Sequence, residues 1–160
     1  MKNSVKNKSK KSFKIFYDDL FTEKIDKIDN NSKLYLYSKL KTGSDQPEYL
    51  MLNNFNSRRL LTKFRISDHN LEVELGRYRN IPREQRTCKV CNTLDDEFHF
   101  LLNCQINKDI RINFINKIIN INPNFNQLAS LDKILFILNP DMNVLSTVVD
   151  FIKQSLELRK

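Results

Sequence analysis

Three thiols and an imidazole fall within seventeen residues as Cys88-x2-Cys91-x7-His99-x4-Cys104, using every cysteine of the chain and one of its two histidines. A tetrahedral Zn2+ site takes four soft or borderline donors, and Cys3His is one of its standard structural sets. The Cys-x2-Cys pair supplies two ligands from one short turn, and His99 with Cys104 closes the site from the next element. We therefore expect one structural Zn2+ on Cys88, Cys91, His99 and Cys104. Protein ligands would fill all four positions and leave none for a catalytic water. An iron–sulfur cluster, or three unrelated buried thiols beside a chance histidine, are the competing readings. Three cysteines is an odd number, which argues against a disulfide framework and for a reducing compartment, so an intracellular protein of nucleus or cytoplasm is expected.

The formal charge is +8 over 160 residues, a balance that suits a polyanionic partner but also serves solubility. Its distribution is uneven. Residues 1–14 carry six lysines and no acid, and residues 57–91 carry nine basic side chains against four acidic ones. Those nine are Arg58, Arg59, Lys63, Arg65, Arg77, Arg79, Arg83, Arg86 and Lys89. With Tyr78 as an aromatic platform for an unpaired base, they form the candidate nucleic-acid-binding set, for RNA or DNA. A basic helix face that is merely solvated is the competing reading. Arg86 and Lys89 also lie near enough in sequence to donate hydrogen bonds to the zinc thiolates.

Along the chain, residues 1–12 read as a disordered basic arm. Residues 13–30 read as an amphipathic helix broken at Asn30-Asn31-Ser32, and residues 33–160 as one helical zinc-binding domain with its knuckle at 88–104. Residues 33–41 (KLYLYSKLK) fit both strand alternation and helical spacing. Leu50 to Ile66 predicts one or two short helices with Leu60, Leu61, Phe64 and Ile66 inward and the arginines outward. A short helix from His69 is expected to stop at Gly76, as the left-handed residue that ends it. Asp95 and Asp96 are placed to cap a helix carrying His99. Further apolar helical stretches follow over 106–121, 128–138 and from Pro140 to about Leu158. The fold class is all-α: a small helical domain with an inserted Cys-x2-Cys-x7-His-x4-Cys zinc knuckle. No run approaches the length of a membrane-spanning helix, and no membrane partner is expected.

Phe16-Tyr17-Asp18-Asp19 matches an aromatic-x-Asp-Asp polymerase signature, but a third carboxylate upstream and a hairpin context are missing, so the pair reads as a solvated helix face. His69 reads as a packed or helix-start histidine. With two glycines and no nucleophile–base pair, the chain is not expected to be an enzyme.

The residues also carry a resemblance. Thr62-Lys63-Phe64-Arg65-Ile66-Ser67-Asp68-His69-Asn70-Leu71, Glu74-Leu75-Gly76-Arg77-Tyr78 and Pro82-Arg83-Glu84-Gln85-Arg86 precede the ligands, and Asp96-Glu97-Phe98-His99-Phe100-Leu101 stands between them. From about Lys33 to the C-terminus this resembles the zinc-binding region that follows the reverse-transcriptase domain in LINE-type (non-LTR) retrotransposon proteins. The resemblance implies binding of template RNA or target DNA in support of target-primed reverse transcription, with Zn2+ on Cys88, Cys91, His99 and Cys104 and the basic lead on Arg65, Arg77 and Arg86. The polymerase and endonuclease domains of that family are not found within these 160 residues. A protein-interaction module is the alternative, docking a partner through the C-terminal helices on Val144, Val148, Phe151 and Ile152, which share one face of the last helix and whose competing reading is simply core.

Overall fold

The computed structural model describes residues 23–25, 27–29, 31–41 and 45–160. The expected basic arm and the Phe16–Asp19 segment lie outside them, as does most of the helix expected over 13–30, of which residues 23–25 are helical. The α-helices that follow are α1 (Tyr35–Leu40), α2 (Phe55–Arg65), α3 (Glu72–Tyr78), α4 (Lys108–Ile119), α5 (Ser130–Leu138) and α6 (Met142–Glu157). Among the described residues there is no strand, only one isolated antiparallel bridge between Thr87 and Leu94. The architecture is all-α, with the Cys/His segment inserted between α3 and α4.

Packing decides the ambiguous 33–41 stretch. Leu36 and Leu40, four apart, are buried while Leu34 is exposed, so the helical period wins over alternation. Helix α2 starts at Asn54, whose side chain accepts from Ser57 N at 3.0 Å. It ends in a Schellman turn: Ser67 takes φ 51°, and Asp68 N donates to Lys63 O at 2.7 Å. A serine in this region is strained. Here its buried hydroxyl donates to Glu97 Oε1, which also lies 2.9 Å from His69 Nε2. His69 packs against Phe64 with ring centroids 5.0 Å apart, a core histidine as expected.

Gly76 plays another part than the one predicted. It sits inside α3, no glycine among the described residues has positive φ, and the left-handed residue after α3 is Asn80, at φ 54°. Asn80 N donates to Arg77 O (3.2 Å) and Ile81 N to Gly76 O (2.8 Å), a second Schellman turn, in which Asn tolerates the left-handed conformation. Gly76 is needed because the Arg86 side chain crosses it: a Cβ at 76 would stand 2.6 Å from Arg86 Cγ and 2.9 Å from Cδ. Arg86 cannot swing aside freely, since its Nε donates to Ile81 O (2.8 Å) and its Nη1 to Val73 O (2.9 Å). Alanine in a helix gains about 1 kcal/mol of propensity over glycine, but overpacking costs about 1–3 kcal/mol. We expect Gly76→Ala to lower the melting temperature by thermal denaturation, and Gly76→Ala with Arg86→Ala to show less than the sum of the two single losses.

Helix α4 packs along α6, and the aromatic cluster sits at that seam. Phe114 and Phe151 stack at 4.3 Å, and Phe125 meets Phe114 edge-on at 6.4 Å. Helices α5 and α6 turn 101° relative to each other, and no single helix among the described residues is long and apolar enough to cross a membrane. Val144, Val148, Phe151 and Ile152 are all buried in the core. Each such side chain contributes roughly 1.5–3 kcal/mol by leaving water. The docking face assigned to these four residues is therefore not a surface.

Candidate metal centre

The knuckle is built by a tight turn and a widened one. Cys88 N donates to Thr93 O and Asn92 N to Cys88 O, both at 2.8 Å, with Asn92 left-handed at φ 55°. This turn presents Cys88 and Cys91 from one side, and the Thr87–Leu94 bridge closes its base. Asp96 then caps the next element, its Oδ1 accepting from His99 N at 2.8 Å. That element is a π turn, His99–Asn103, in which Cys104 N donates to His99 O at 2.7 Å. In an α-helix, residues five apart point well away from each other; the i→i+5 turn brings His99 and Cys104 back to one side. The x4 spacing of the motif is thus read out by a π turn. Phe100 and Leu101, fully buried, anchor it to the core.

Cys88, Cys91, His99 and Cys104 bring one ligand atom each to within 4.8 Å of one another. The edge of a tetrahedron with sulfur arms of about 2.3 Å is about 3.8 Å, so the four atoms close on a central ion with small movements. None of the three thiols is in a disulfide. His99 Nδ1 lies 3.0 Å from Thr93 Oγ1, while its buried Nε2 has no hydrogen-bond partner. A buried ring nitrogen left unpaired is costly, and ligation of a metal by Nε2, with Nδ1–H on Thr93, satisfies both nitrogens. These residues can hold a metal ion.

Their electrostatics point the same way. Burial, with Arg159 and Arg111 in the same direction against Asp95 and Asp96, pulls the His99 imidazole below its usual value and so favours its neutral form. At Cys104 burial opposes ionisation, but the Arg159 hydrogen bond, the Ile106 N–H and the Arg159 charge outweigh it and bring the thiol below its ordinary range. At Cys91 the Gln105 N–H favours the thiolate, yet burial and the neighbouring Cys104 and Cys88 sulfurs together push the thiol up. Several thiolates in one place need a cation between them.

The hydrogen-bond donor to sulfur is not the one expected. Arg86 is committed to Ile81 O and Val73 O, and Lys89 is exposed. Arg159 takes the role: its Nη2 lies 2.9 Å from Cys104 Sγ, its Nη1 reaches Asp95 Oδ1 and Oδ2 at 2.8 and 3.0 Å, and its guanidinium covers the Phe100 ring at 4.8 Å. Asp95 also departs from expectation. It caps no helix of its own segment; its Oδ2 accepts from Glu72 N at 3.1 Å and so caps α3 across space. Asn107, wholly buried, ties the π turn to α4 through Phe100 O at 2.8 Å. No local spacing signals these partners, because 55 residues separate Arg159 from Cys104.

The nine basic residues divide into several groups. Arg65 is 3% exposed; it donates to Leu138 O (2.6 Å) and Asn139 Oδ1 (3.0 Å) and lies over Tyr49. Burial pulls its guanidinium below its usual value. It holds α2 to the end of α5 and is unavailable to a polyanion, contrary to expectation. Arg86 is likewise committed in part. Arg58 donates to Leu52 O, Lys63 lies 3.8 Å from Asp68, and Arg79 lies 2.6 Å from Glu72. Arg77 Nε stands 3.3 Å from buried Glu74 Oε2, an ion pair without hydrogen-bond alignment. Arg59 and Lys89 are exposed, Arg83 is half-buried, and none of the three has an ion pair among the described residues. Tyr78 is 70% exposed. No family model, no curated protein and no solved structure matches the chain.

Proposed function

We propose that this chain is a zinc-stabilised nucleic-acid-binding module without catalytic machinery of its own, of the kind that follows the polymerase in LINE-type retrotransposon proteins. The donor set supports Zn2+, since three thiolates and an imidazole in a closed four-ligand cluster suit its size and softness. Four protein ligands leave the ion no open position, which supports a structural role. The observation that carries the nucleic-acid reading is the basic stretch next to the metal cluster. Among the described residues Arg59, Arg83 and Lys89 form no ion pair, and Tyr78 stands out of the surface among them in sequence.

The test is fluorescence anisotropy on zinc-assayed protein with single-stranded RNA, single-stranded DNA and duplex DNA, with and without chelator. With about three phosphates contacted on a single strand, raising salt fourfold lowers affinity about 20-fold. One zinc per chain and salt-dependent, chelator-sensitive binding are the expected outcome. Salt-insensitive binding removes the phosphate-contact reading. Bound zinc with no affinity for any of the three probes turns the assignment toward a protein partner.

A further inference from the structure

Asn31, Arg77, Arg83, Glu84 and Arg86 line an open cleft of about 330 Å3 on the α3 side of the knuckle. Three arginines and a single carboxylate residue, Glu84, contribute to that lining. The carboxylate nearest behind the wall, Glu74, is buried between Arg77 (3.3 Å) and Lys33 (2.7 Å) and is neutralised from both sides. Asp96 lies close enough to Arg83 to feel its charge but does not line the cleft.

Two features make the cleft a receptor rather than a basic surface. Arg86 is held over Gly76 by Ile81 O and Val73 O, so its guanidinium is fixed before any ligand arrives. Fixing a donor in advance removes the ordering cost of binding. The Arg83 side chain, by contrast, makes no hydrogen bond or ion pair among the described residues and keeps its donor fork for a ligand. A planar fork with five N–H donors matches the oxygens of a phosphate. Beside them, Lys33 Nζ bonds Glu74 and stands 5.9 Å from the Tyr78 ring, which ties this exposed aromatic to the same wall. An aromatic face beside a phosphate receptor can stack a base only where that base is unpaired.

We propose that this cleft takes one phosphodiester of a single-stranded nucleic acid on Arg77, Arg83 and Arg86, with an adjacent base stacked on Tyr78. The assignment of the phosphate to a nucleic acid rests on the function proposed above; the oxyanion site itself does not.

The experiment compares the full chain with Arg83→Ala, Tyr78→Ala, Tyr78→Phe and, as control, Lys117→Ala at an exposed position of α4. Anisotropy follows a labelled twelve-nucleotide oligo(dT) and its oligo(U) counterpart, and calorimetry follows inorganic pyrophosphate. Circular dichroism and zinc content check each variant's fold; Arg83 and Tyr78 both carry groups that face solvent, so folding should survive. Arg83→Ala is expected to weaken oligonucleotide binding about tenfold and to reduce the salt slope by about 0.7. Tyr78→Ala should weaken it about tenfold, Tyr78→Phe should restore it, and Lys117→Ala should leave it unchanged. If oligonucleotides bind but Arg83→Ala matches the parent chain, the cleft assignment fails and the nucleic-acid reading stands. If pyrophosphate binds, and Arg83→Ala abolishes this, while no oligonucleotide binds, the oxyanion site stands and its nucleic-acid source is overturned. If neither probe binds, both are overturned.

Discussion

Stripping the metal with a chelator, or replacing a candidate ligand as in Cys104→Ser, is expected to lower the melting temperature by about 10 °C and to reduce the bound metal, zinc in the proposed assignment, from one per chain to none. The magnitude follows from chain entropy. Cross-linking a loop the length of 88–104 removes roughly 3 kcal/mol of unfolded-state freedom, and 1 kcal/mol moves a domain of this size by about 3 °C. The Cys88–Thr93 turn has little apolar burial to hold it, and Val90 is exposed. Besides its own hydrogen bonds and the Thr87–Leu94 bridge, it is tied down among the described residues only through Gln105 N on Cys91 Sγ and Thr93 Oγ1 against His99 Nδ1. Without the ion, buried His99 Nε2 is left unpaired and the sulfurs crowd one another. The damage spreads inward because Phe100 and Leu101 ride on the same π turn as two of the ligands. Calorimetry with and without chelator, alongside a colorimetric zinc assay, measures this directly. A metal-free protein that melts with the loaded one would remove the structural role.

The clustering of the four candidate ligands was legible because metal chemistry demands particular donors at short spacing, and the chain spends all its cysteines there. Helical periodicity also carried through: Leu61 and Phe64 of α2, and Val144, Val148 and Ile152 of α6, are inward where the 3.6-residue period puts them. What sequence could not resolve is which charged residues belong to the interior. Arg65 and Arg59 lie in one helix with the same local chemistry, yet Arg65 is sealed against Leu138 O, 73 residues away, while Arg59 faces solvent. The partner of a buried charge is a tertiary fact. Gly76 misled for a similar reason. Near the end of a helical pattern glycine suggests a left-handed cap, but the requirement came from Arg86 crossing ten residues later, and Asn80 took the cap.

Arg159→Ala is expected to destabilise the fold by about 3 kcal/mol and to weaken metal retention about 10- to 100-fold. Its side chain is 14% exposed, and among the described residues it is the one cation bonded to Asp95, which is 5% exposed. Breaking a buried ion pair by removing one partner leaves an uncompensated charge and costs about 3–5 kcal/mol; partial exposure places this pair at the lower end. Asp95 also caps α3 through Glu72 N and accepts from Val73 N through its carbonyl, so the stranded carboxylate disturbs α3 as well as the knuckle. The effect on the metal follows from the bond to Cys104 Sγ, since groups that orient and stabilise a ligand change affinity by that range. Arg159→Lys keeps the charge but cannot span Asp95 and Cys104 together, and should recover only part of each loss. In the double variant Arg159→Leu with Asp95→Asn no charge is stranded, so its stability loss should fall short of the sum of the single ones. Zinc release to a competing chelator separates the two roles. Unchanged release with lowered stability would confine Arg159 to the Asp95 clamp, and unchanged stability with faster release would confine it to the thiolate.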